Sequence, residues 1–528
     1  MAVASDPVYL LDFYCFKPPE ELVVTTADVD KAWNERRKAE GSIFAQSAAY
    51  TPEEAARVDA EAQDIIDFQA RVFHKAGLAD NATYLPKSIH PKYCGNNPKT
   101  DLNSAADECR QAICGAVEGL FKKTGLQPKD IDILVTTCSI YCPTPSIASM
   151  VTNAFGMRKD VQAYHLGGMG CSNGVVGMNL VADLLKAHPN CNALFVTNET
   201  TTPAFYRGKD KHRLVTNVLF RMGAAAILMT NKPALKKKAK YVLQHRCRVQ
   251  LSASDAAYKC IWYGPDDEGL NGIYLGLDVV KEASQGLTIA MTKIGRYVLN
   301  WDQIGAYLRN YLQRVVLKRP DVPPYQPAFG ECVDHFLIHA GGAKVLDGIG
   351  KNLQLSEEHL WPSRVVLRYY GNVSSSTTWY TLAAVESLRG VRQGDRVLQI
   401  GVGSGIKCGV NVWKALRTVE EVHDAWAMRA EAGDRTRLPD VSHGLRHVGL
   451  RLIGWALLGL LLALSYAIMA RVAGPAGPAV GMPAQGGGGG VASGGSEGGV
   501  VAAAPGYEQV LRLLLPPLLG DRLLGAPA

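Results

Sequence analysis

One of the twelve cysteines in this 528-residue chain stands where a thiol can serve as a nucleophile. Cys171 lies in Tyr164-His165-Leu166-Gly167-Gly168-Met169-Gly170-Cys171-Ser172-Asn173-Gly174, and an amphipathic run, Val175–His188, follows directly. Glycines permit a sharp strand-to-helix turn and close approach of a substrate. A thiol at a helix start feels the positive end of the aligned peptide dipoles, which is expected to lower its pKa and supply thiolate. The free N–H groups of that first turn also suit an oxyanion. The plain alternative, a buried structural cysteine, leaves the crowded glycines without a purpose.

Two further segments offer partners for such a nucleophile. Ile338-His339-Ala340-Gly341-Gly342 puts a histidine at the end of an apolar strand, and Tyr370-Gly371-Asn372-Val373-Ser374-Ser375-Ser376 puts an asparagine before a helix start rich in small residues. Taken singly, a histidine after a strand is as a rule structural and a Gly-Asn pair is as a rule a turn. Gly401-Val402-Gly403-Ser404-Gly405 superficially suggests a phosphate loop. It has neither the GxGxxG tail nor the Walker lysine spacing, so nucleotide binding is a poor reading. The cysteines form no CxxC pair and no zinc-type spacing, which points away from a metal site or a disulfide framework and toward a reducing, cytosol-facing environment.

Alternating strands and helices must position these residues. Thr51-Pro52-Glu53-Glu54 opens a helix to about Lys75, with Thr as N-cap, Pro in the first turn and acids at the positive end. A second helix is predicted over Ser104–Lys122, and strands over Ile131–Thr137, Asn192–Thr197, Ala224–Thr230, His335–Ala340 and Arg396–Gly401. Near-continuous apolar strands alternating with helices argue for α/β layers, with a break between halves near Leu287–Thr292. No repeat of 20–50 residues is visible, against a solenoid. With 47% hydrophobic and 20% charged residues, wholesale disorder is excluded. The net charge of +7 is too diffuse for a nucleic-acid footprint, although mild attraction for an anionic small substrate stays open. Lys236-Lys237-Lys238-Ala239-Lys240 reads as a solvated surface turn.

The character changes after Arg417. Val419 to about Arg435 is charged and expected to be helical. Leu452–Ala470 carries no charge, and at 1.5 Å per residue a helix there is about 28 Å long, close to the ~30 Å hydrocarbon core. A membrane span is the preferred reading over a buried core helix, because only a glycine-rich run follows it. A multi-span protein is excluded, because Leu452–Ala470 is the one uncharged apolar run in the sequence that approaches spanning length. His443, Arg446, His447 and Arg451 precede it and Arg471 follows, which places the larger part of the chain on the cytosolic side. Gly474–Gly506 is a flexible linker, and Tyr507–Leu524, interrupted by Pro516-Pro517, is either surface-lying or a loose tail. No charged n-region and apolar h-region opens the chain, so secretion by a signal peptide is not expected.

Cys in GGMGCS, His in HAGG and Asn in GNVSSS, in that order, resemble the Cys-His-Asn condensing enzymes of the thiolase superfamily. Within it the chain is most similar to plant-type 3-ketoacyl-CoA synthases, the membrane-bound elongases of very-long-chain fatty acids. Supporting stretches are Leu11–Pro19, Thr83–Pro86, Asn217–Gly223 and Gly394–Arg396 through Gly403–Cys408 to Val412–Arg417, so that the resemblance covers roughly Val8 to Arg417. It implies a duplicated αβαβα five-layer fold, with an N-terminal half over 1–290 carrying Cys171 and a C-terminal half over 291–418 carrying His339 and Asn372. A charged juxtamembrane segment (419–451), the span (452–470) and a glycine-rich linker with a Leu-rich tail (471–528) follow. It implies that Cys171 takes the acyl group of a long-chain acyl-CoA as a thioester, while His339 and Asn372 stabilise the enolate formed when malonyl-CoA loses CO2. The oxyanion hole would use the Cys171 amide and one from Gly403, Ser404 or Gly405, with His335, Arg221 and Lys407 as supporting residues. Arg221 and Lys407 could equally be CoA contacts or structural ion-pair partners.

The same resemblance implies no cofactor and no metal, an endoplasmic-reticulum membrane setting, a homodimer, and partnership with the elongase reductases and dehydratase. Two positions depart from the family pattern: Gln250 and Arg368 stand where it usually has His. The family also carries two N-terminal membrane spans ahead of the Leu11–Pro19 segment, so either the anchor has moved or the sequence lacks its start. Alternatives are a type III polyketide synthase-like enzyme with the same triad, a non-catalytic elongase-complex subunit, and a biosynthetic thiolase. The thiolase needs a second catalytic cysteine, for which Cys408 is the only nearby candidate.

Overall fold

Helix α1, Pro52–Lys75, begins where local chemistry requires. The Thr51 hydroxyl accepts the Glu54 N–H at 3.3 Å and the Glu54 carboxylate accepts the Thr51 N–H at 2.8 Å, a reciprocal cap that satisfies two otherwise orphaned donors. The computed structural model describes residues 7–29, 31–32, 51–95 and 97–433. Among them nine strands form one mixed sheet: β1 (Tyr9–Cys15), β2 (Ile133–Thr137), β3 (Gln162–Leu166), β4 (Asn192–Glu199), β5 (Gly223–Thr230), β6 (Tyr241–Gln250), β7 (His335–Ile338), β8 (Arg396–Gly403) and β9 (Lys407–Ala415). Their order is β7-β8-β9-β6-β1-β5-β4-β2-β3. The pairs β2/β3, β2/β4 and β7/β8 are parallel and the others antiparallel.

Five more helices matter for the site: α2 (Leu102–Thr124), α3 (Asn173–Ala187), α4 (Val279–Val298), α5 (Glu357–Tyr370) and α6 (Thr377–Leu388). Helix α3 touches β2 and β4 near one end of the sheet and β8 and β9 near the other. Helix α6 packs on β1, β7, β8 and α3, and every one of its residues is buried. The sheet therefore wraps around these two helices, while α2 covers β1, β4 and β5 and α4 covers β6 and β9. In α6, Trp379 and Tyr380 supply much of the buried surface, while its polar members are bonded internally, Thr378 to Gln399 and Glu386 to Lys240 and Tyr241.

The predicted helices over Thr51–Lys75 and Ser104–Lys122 and the five predicted strands appear with their ends shifted by no more than two residues. Strand β6 lies in the segment read with the N-terminal half. Its pairing runs with β9 from Lys407↔Gln250 to Ala415↔Tyr241, and Val249, Leu287 and Ala290 share a core with Phe336 and Leu398. The stretch from Val419 is not one helix: Val419 bridges to Val391, and only Asp424–Trp426 and Ala427–Glu431 are helical among the described residues. Among the described residues no helix is long and apolar enough to cross a membrane, and the predicted span Leu452–Ala470 lies outside them.

The basic run is only partly a solvated turn. Lys236–Lys238 are exposed, but Lys240 is completely buried, 2.8 Å from Asp12, 2.8 Å from Glu386 and 2.7 Å from Glu421. Glu386 also accepts from the Tyr241 hydroxyl at 2.8 Å and contacts His423 Nε2 at 2.6 Å. The neighbouring ammonium holds the Glu386 carboxyl far below the usual range, against the opposing effect of burial. Glu386, Glu421 and His423 are the one set of metal-capable side chains found among the described residues, and the Lys240 ammonium already holds both carboxylates. Removing one member of a buried charge cluster costs about 3–5 kcal/mol, because its partners stay buried and uncompensated. Lys240→Met is expected to lower the unfolding free energy of the full chain by that amount in a denaturant titration. A midpoint within error of wild type would mean that the cluster is solvated.

Candidate active site

Strand β3 ends at Leu166, and the chain then turns through Gly168 (φ +69°) and Gly170 (φ +55°) into a single 3-10 turn, Gly170–Ser172, which runs straight into α3. Left-handed backbone at these two positions is what the glycines are for. The turn is pinned by short bonds. Gly170 N–H donates to the Ser139 hydroxyl at 2.8 Å, the Ser172 hydroxyl to the Met169 carbonyl at 2.8 Å, and the Asn173 amide to the Leu166 carbonyl at 3.0 Å. Cys171 keeps partial exposure between the buried Ser172 and this loop.

Asn372 arrives from the opposite side. It closes α5 through Gly371 (φ +65°), donates its N–H to the Leu219 carbonyl at 2.9 Å and accepts the Arg221 N–H at 3.0 Å. Its side-chain oxygen accepts the Ser374 N–H at 2.9 Å. Ser375 and Ser376 then bond the Asn198 and Thr197 carbonyls of β4 at 3.2 and 2.9 Å, which fastens the turn to the sheet. The starts of α3 and α6 cross so closely that a Cβ at Gly174 would overlap the Ser375 carbonyl. This crossing brings the Ser374 hydroxyl to 3.5 Å from Cys171 Sγ, and the Asn372 amide also bonds the sulfur.

His339 follows β7, and its N–H donates to the Ile400 carbonyl of β8 at 3.0 Å. Gly341 passes under the ring, where a Cβ would stand 3.3 Å from Nε2. The ring is buried, its Nδ1 has no hydrogen-bond partner, and desolvation lowers its pKa to about 4. It is a neutral imidazole at physiological pH. Strand β8 ends in the Gly403–Gly405 turn, and a Cβ at Gly403 would lie 2.5 Å from both the Met169 carbonyl and the Ser172 nitrogen. A Cβ at Gly170 would in turn lie 3.1 Å from the Ser404 nitrogen. The two glycine turns are thus stacked, with Cys171 between Gly170 and Ser172.

The three supporting residues take other places. His335 sits at the far end of β7, roughly 13 Å along the strand from His339 at about 3.3 Å per residue, and bonds Asp395 at 2.9 Å. Arg221 is buried, its pKa lowered to about 9 by desolvation, and its guanidinium bonds the Thr83 hydroxyl and the Asn217 and Phe220 carbonyls. It buttresses the strand-like contact with Asn372 from behind. Lys407 Nζ donates to the Ser404 carbonyl at 3.2 Å, bracing the turn from below. Gln250 pairs with Lys407 across β6 and β9 and bonds the Ser252 hydroxyl at 3.2 Å, which itself bonds the Gly405 carbonyl. Arg368 is exposed over the Tyr369 ring.

Charge at the sulfur differs from the expectation. Burial pushes the Cys171 thiol up to about 12, the nearby Glu199 adds to the rise, and the bonds from Ser374 and Asn372 offset only part of it. Two polar residues in contact with the sulfur's surroundings, Ser374 and Glu199, escaped the sequence reading. Glu199 ends an apolar strand in Asn198-Glu199-Thr200, and an acid in that position is itself a signal.

Residues 1–316 match the family described as "FAE1/Type III polyketide synthase-like protein", and residues 330–415 match "3-Oxoacyl-[acyl-carrier-protein (ACP)] synthase III C terminal". The chain is 39% identical to 3-ketoacyl-CoA synthase 6 of Arabidopsis thaliana over 417 residues, which cover 79% of this chain and 78% of that protein. It is 38% identical to 3-ketoacyl-CoA synthase 5 of the same plant over 421 residues, 80% of each. A fungal type III polyketide synthase, ORAS, superposes with a TM-score of 0.55 at 16% identity, over 77% of this chain and 99% of that one. The type III polyketide synthase domain of Steely1 from Dictyostelium gives 0.52 at 18%, over 78% and 99%. These likenesses establish a thiolase-like α/β fold, and the sequence matches go further: this chain belongs to the 3-ketoacyl-CoA synthases, the acyl-CoA condensing acyltransferases of fatty acid elongation.

Proposed function

We propose that Cys171 is the nucleophile that accepts a long-chain acyl group from its CoA thioester, and that His339 and Asn372 handle the malonyl-CoA that follows. The observation that carries this is the convergence of Cys171, Asn372 and Ser374 where the two buried helix starts cross. The sulfur attacks the acyl-CoA carbonyl and CoA leaves. Malonyl-CoA then loses CO2, and the enolate is stabilised by N–H donors from a neutral His339 and the Asn372 amide on its thioester oxygen. The resulting carbanion attacks the Cys171 acyl carbon, giving a 3-ketoacyl-CoA two carbons longer. The Cys171 amide, with one from the stacked Gly403–Gly405 turn, suits the oxyanion of that step.

No metal or redox group enters this chemistry, since loss of CO2 drives it. The finer architecture we read is the duplicated five-layer arrangement: α2, a first sheet portion, α3 with α6, a second sheet portion, and α4. The product carries a ketone, so reductases and a dehydratase must act next. We place the catalytic body on the cytosolic side of the endoplasmic reticulum, held by Leu452–Ala470. A homodimer is our reading for β3, an exposed sheet edge that leads directly into the Cys171 loop.

Full-length protein in membranes, given acyl-CoAs of graded length with radiolabelled malonyl-CoA and read by product mass, tests the assignment. Cys171→Ala is expected to abolish acyl-enzyme and product, whereas His339→Ala and Asn372→Asp keep acylation and lose about 10²–10³-fold in condensation. Undiminished malonyl incorporation by Cys171→Ala would sink the reading, and pyrones in place of single-step 3-ketoacyl-CoA would move the chain toward polyketide chemistry.

The lowered pKa of His339 has its own consequence. An unfolded histidine takes a proton near pH 6.5, whereas folded His339 resists until about 4. Its contribution to stability is present above 6.5 and is lost as pH falls toward 4. Malonyl-CoA decarboxylation by the acylated enzyme is therefore expected to stay level from pH 7.5 to about 5 and fall below that. An inflection near 6.5 that vanishes in His339→Gln would contradict a neutral, buried ring.

A further inference from the structure

Cys171 has to lose a proton before it can carry an acyl group, and the condensation as described leaves that proton without an acceptor. Among the described residues no hydrogen bond joins the His339 ring to the sulfur. The Ser374 hydroxyl does reach it, at 3.5 Å, and the same hydroxyl lies 3.1 Å from Glu199 Oε2. Glu199 is 3% exposed at the end of β4. Its other oxygen accepts the Ser139 and Ile140 N–H groups, both at 2.8 Å, and the Cys138 thiol at 3.2 Å. One carboxylate oxygen is thus saturated by the backbone while the other is aimed at Ser374. Ser374 in turn is held in left-handed backbone (φ +50°), a costly conformation for a residue with a side chain, and such strain concentrates at functional positions.

A hydroxyl has one hydrogen and two lone pairs, so it cannot donate to both neighbours at once. Either the thiol donates to Ser374 and Ser374 donates to the carboxylate, or a protonated Glu199 donates to Ser374 and Ser374 donates to a thiolate. The two arrangements differ by two short proton hops and no heavy-atom movement. We propose that Glu199, acting through Ser374, takes up the Cys171 proton during acyl transfer and returns it when the condensation product leaves. This rests on the reading of Cys171 as the acyl acceptor.

The steps balance. As the S–C bond to the acyl carbon forms, the thiol proton passes to Ser374 and the Ser374 proton to Glu199. The tetrahedral intermediate expels CoA as a thiolate, which takes one proton from solvent. After decarboxylation the malonyl-derived carbon attacks, Cys171 leaves as thiolate, and Glu199 hands its proton back by the same route. One solvent proton is consumed per turnover, as conversion of one malonyl carboxylate to CO2 requires. Glu199 and Ser374 do not meet the substrate in this scheme; they set the charge on the group that does. Burial raises the Glu199 pKa toward the range where a carboxylate can accept a proton, and the titratable groups that interact with it are the thiols of Cys109, Cys138, Cys142 and Cys171.

The test is the rate of acyl-enzyme formation in the full-length protein, measured by rapid quench and peptide mass from pH 6.5 to 9.5. Wild type is expected to be level with pH, because the proton is shared internally. Glu199→Gln keeps an acceptor oxygen for the Ser139 and Ile140 N–H groups but cannot take a proton. It is expected to acylate about 10²-fold more slowly at pH 7 and to gain tenfold per pH unit as direct ionisation takes over. Ser374→Ala should show the same slope, and the double variant should be no slower than either. Should E199Q not fold, the proton inventory of wild-type acylation in H2O/D2O mixtures decides: a bowed dependence reports two protons in flight, a linear one overturns the relay. Acylation of both variants at the wild-type rate with wild-type pH dependence overturns it as well. Absence of any acyl group on Cys171 in wild type would overturn the underlying reading instead, so the two failures are distinct.

Discussion

The crossing of two helix starts is the constraint on which the rest of this protein depends. Gly174 lets α3 pass against the Ser375 carbonyl, and neither helix could approach so closely with any side chain at that position. From this contact follow the reach of Ser374 to Cys171, the attachment of the serine turn to β4, and the seat of Asn372 beside the sulfur. It also explains why α6 is buried on every face: a helix whose first turn lies at the centre of the molecule has no side left for water. The sheet wraps around that pair, with β1 joining its two portions through Tyr9↔Val242 and Leu10↔Tyr241.

Burial on this scale dictates the charge state of the site. A helix dipole offers about half an elementary charge at its start, yet the protein packed around the sulfur still raises the thiol pKa. Cys171 and His339 are both driven to their neutral forms, the thiol upward and the imidazole downward. Both directions disfavour a thiolate–imidazolium pair.

The candidate site residues stand out in the sequence because each is announced by backbone demands: glycines before Cys171, glycines after His339, a Gly-Asn turn before small residues. The Thr51 cap and most strands were legible for the same local reasons. Strand β1 was not, because Asp12 interrupts YLLDFYC, and its fitness for the sheet depends on Lys123 and Lys240, more than a hundred residues away. Lys240 was misread for the converse reason: its neighbours are solvated, and its partners come from β1, α6 and the segment after Val419. Strand β6 carries His245 and Arg246 on half-buried positions and Arg248 on an exposed one, so its period does not stand out. Glu199 carries a local signal, an acid at the end of an apolar strand, but its link to Ser374, 175 residues away, does not show in the sequence.

The proposed separation of tasks between the two polar flanks of Cys171 has a physical rationale. Acyl transfer needs a group that removes a proton and later restores it, whereas enolate formation needs donors that never change charge. One histidine performing both would have to be cationic for part of the cycle, in a site that lowers its pKa to about 4. Assigning the proton to Glu199 leaves His339 neutral throughout, so the stabilisation of the enolate does not depend on the state of the acyl-enzyme. Each hop itself leaves the net charge of the buried pair unchanged, since it moves a proton between Cys171 and Glu199, and the negative charge departs only with the CoA thiolate. In a low-dielectric interior that is the less costly way to make a thiolate. The backbone N–H groups of Ser139 and Ile140 then do for Glu199 what a cation would do elsewhere, tempering the cost of a buried carboxylate without abolishing its affinity for a proton.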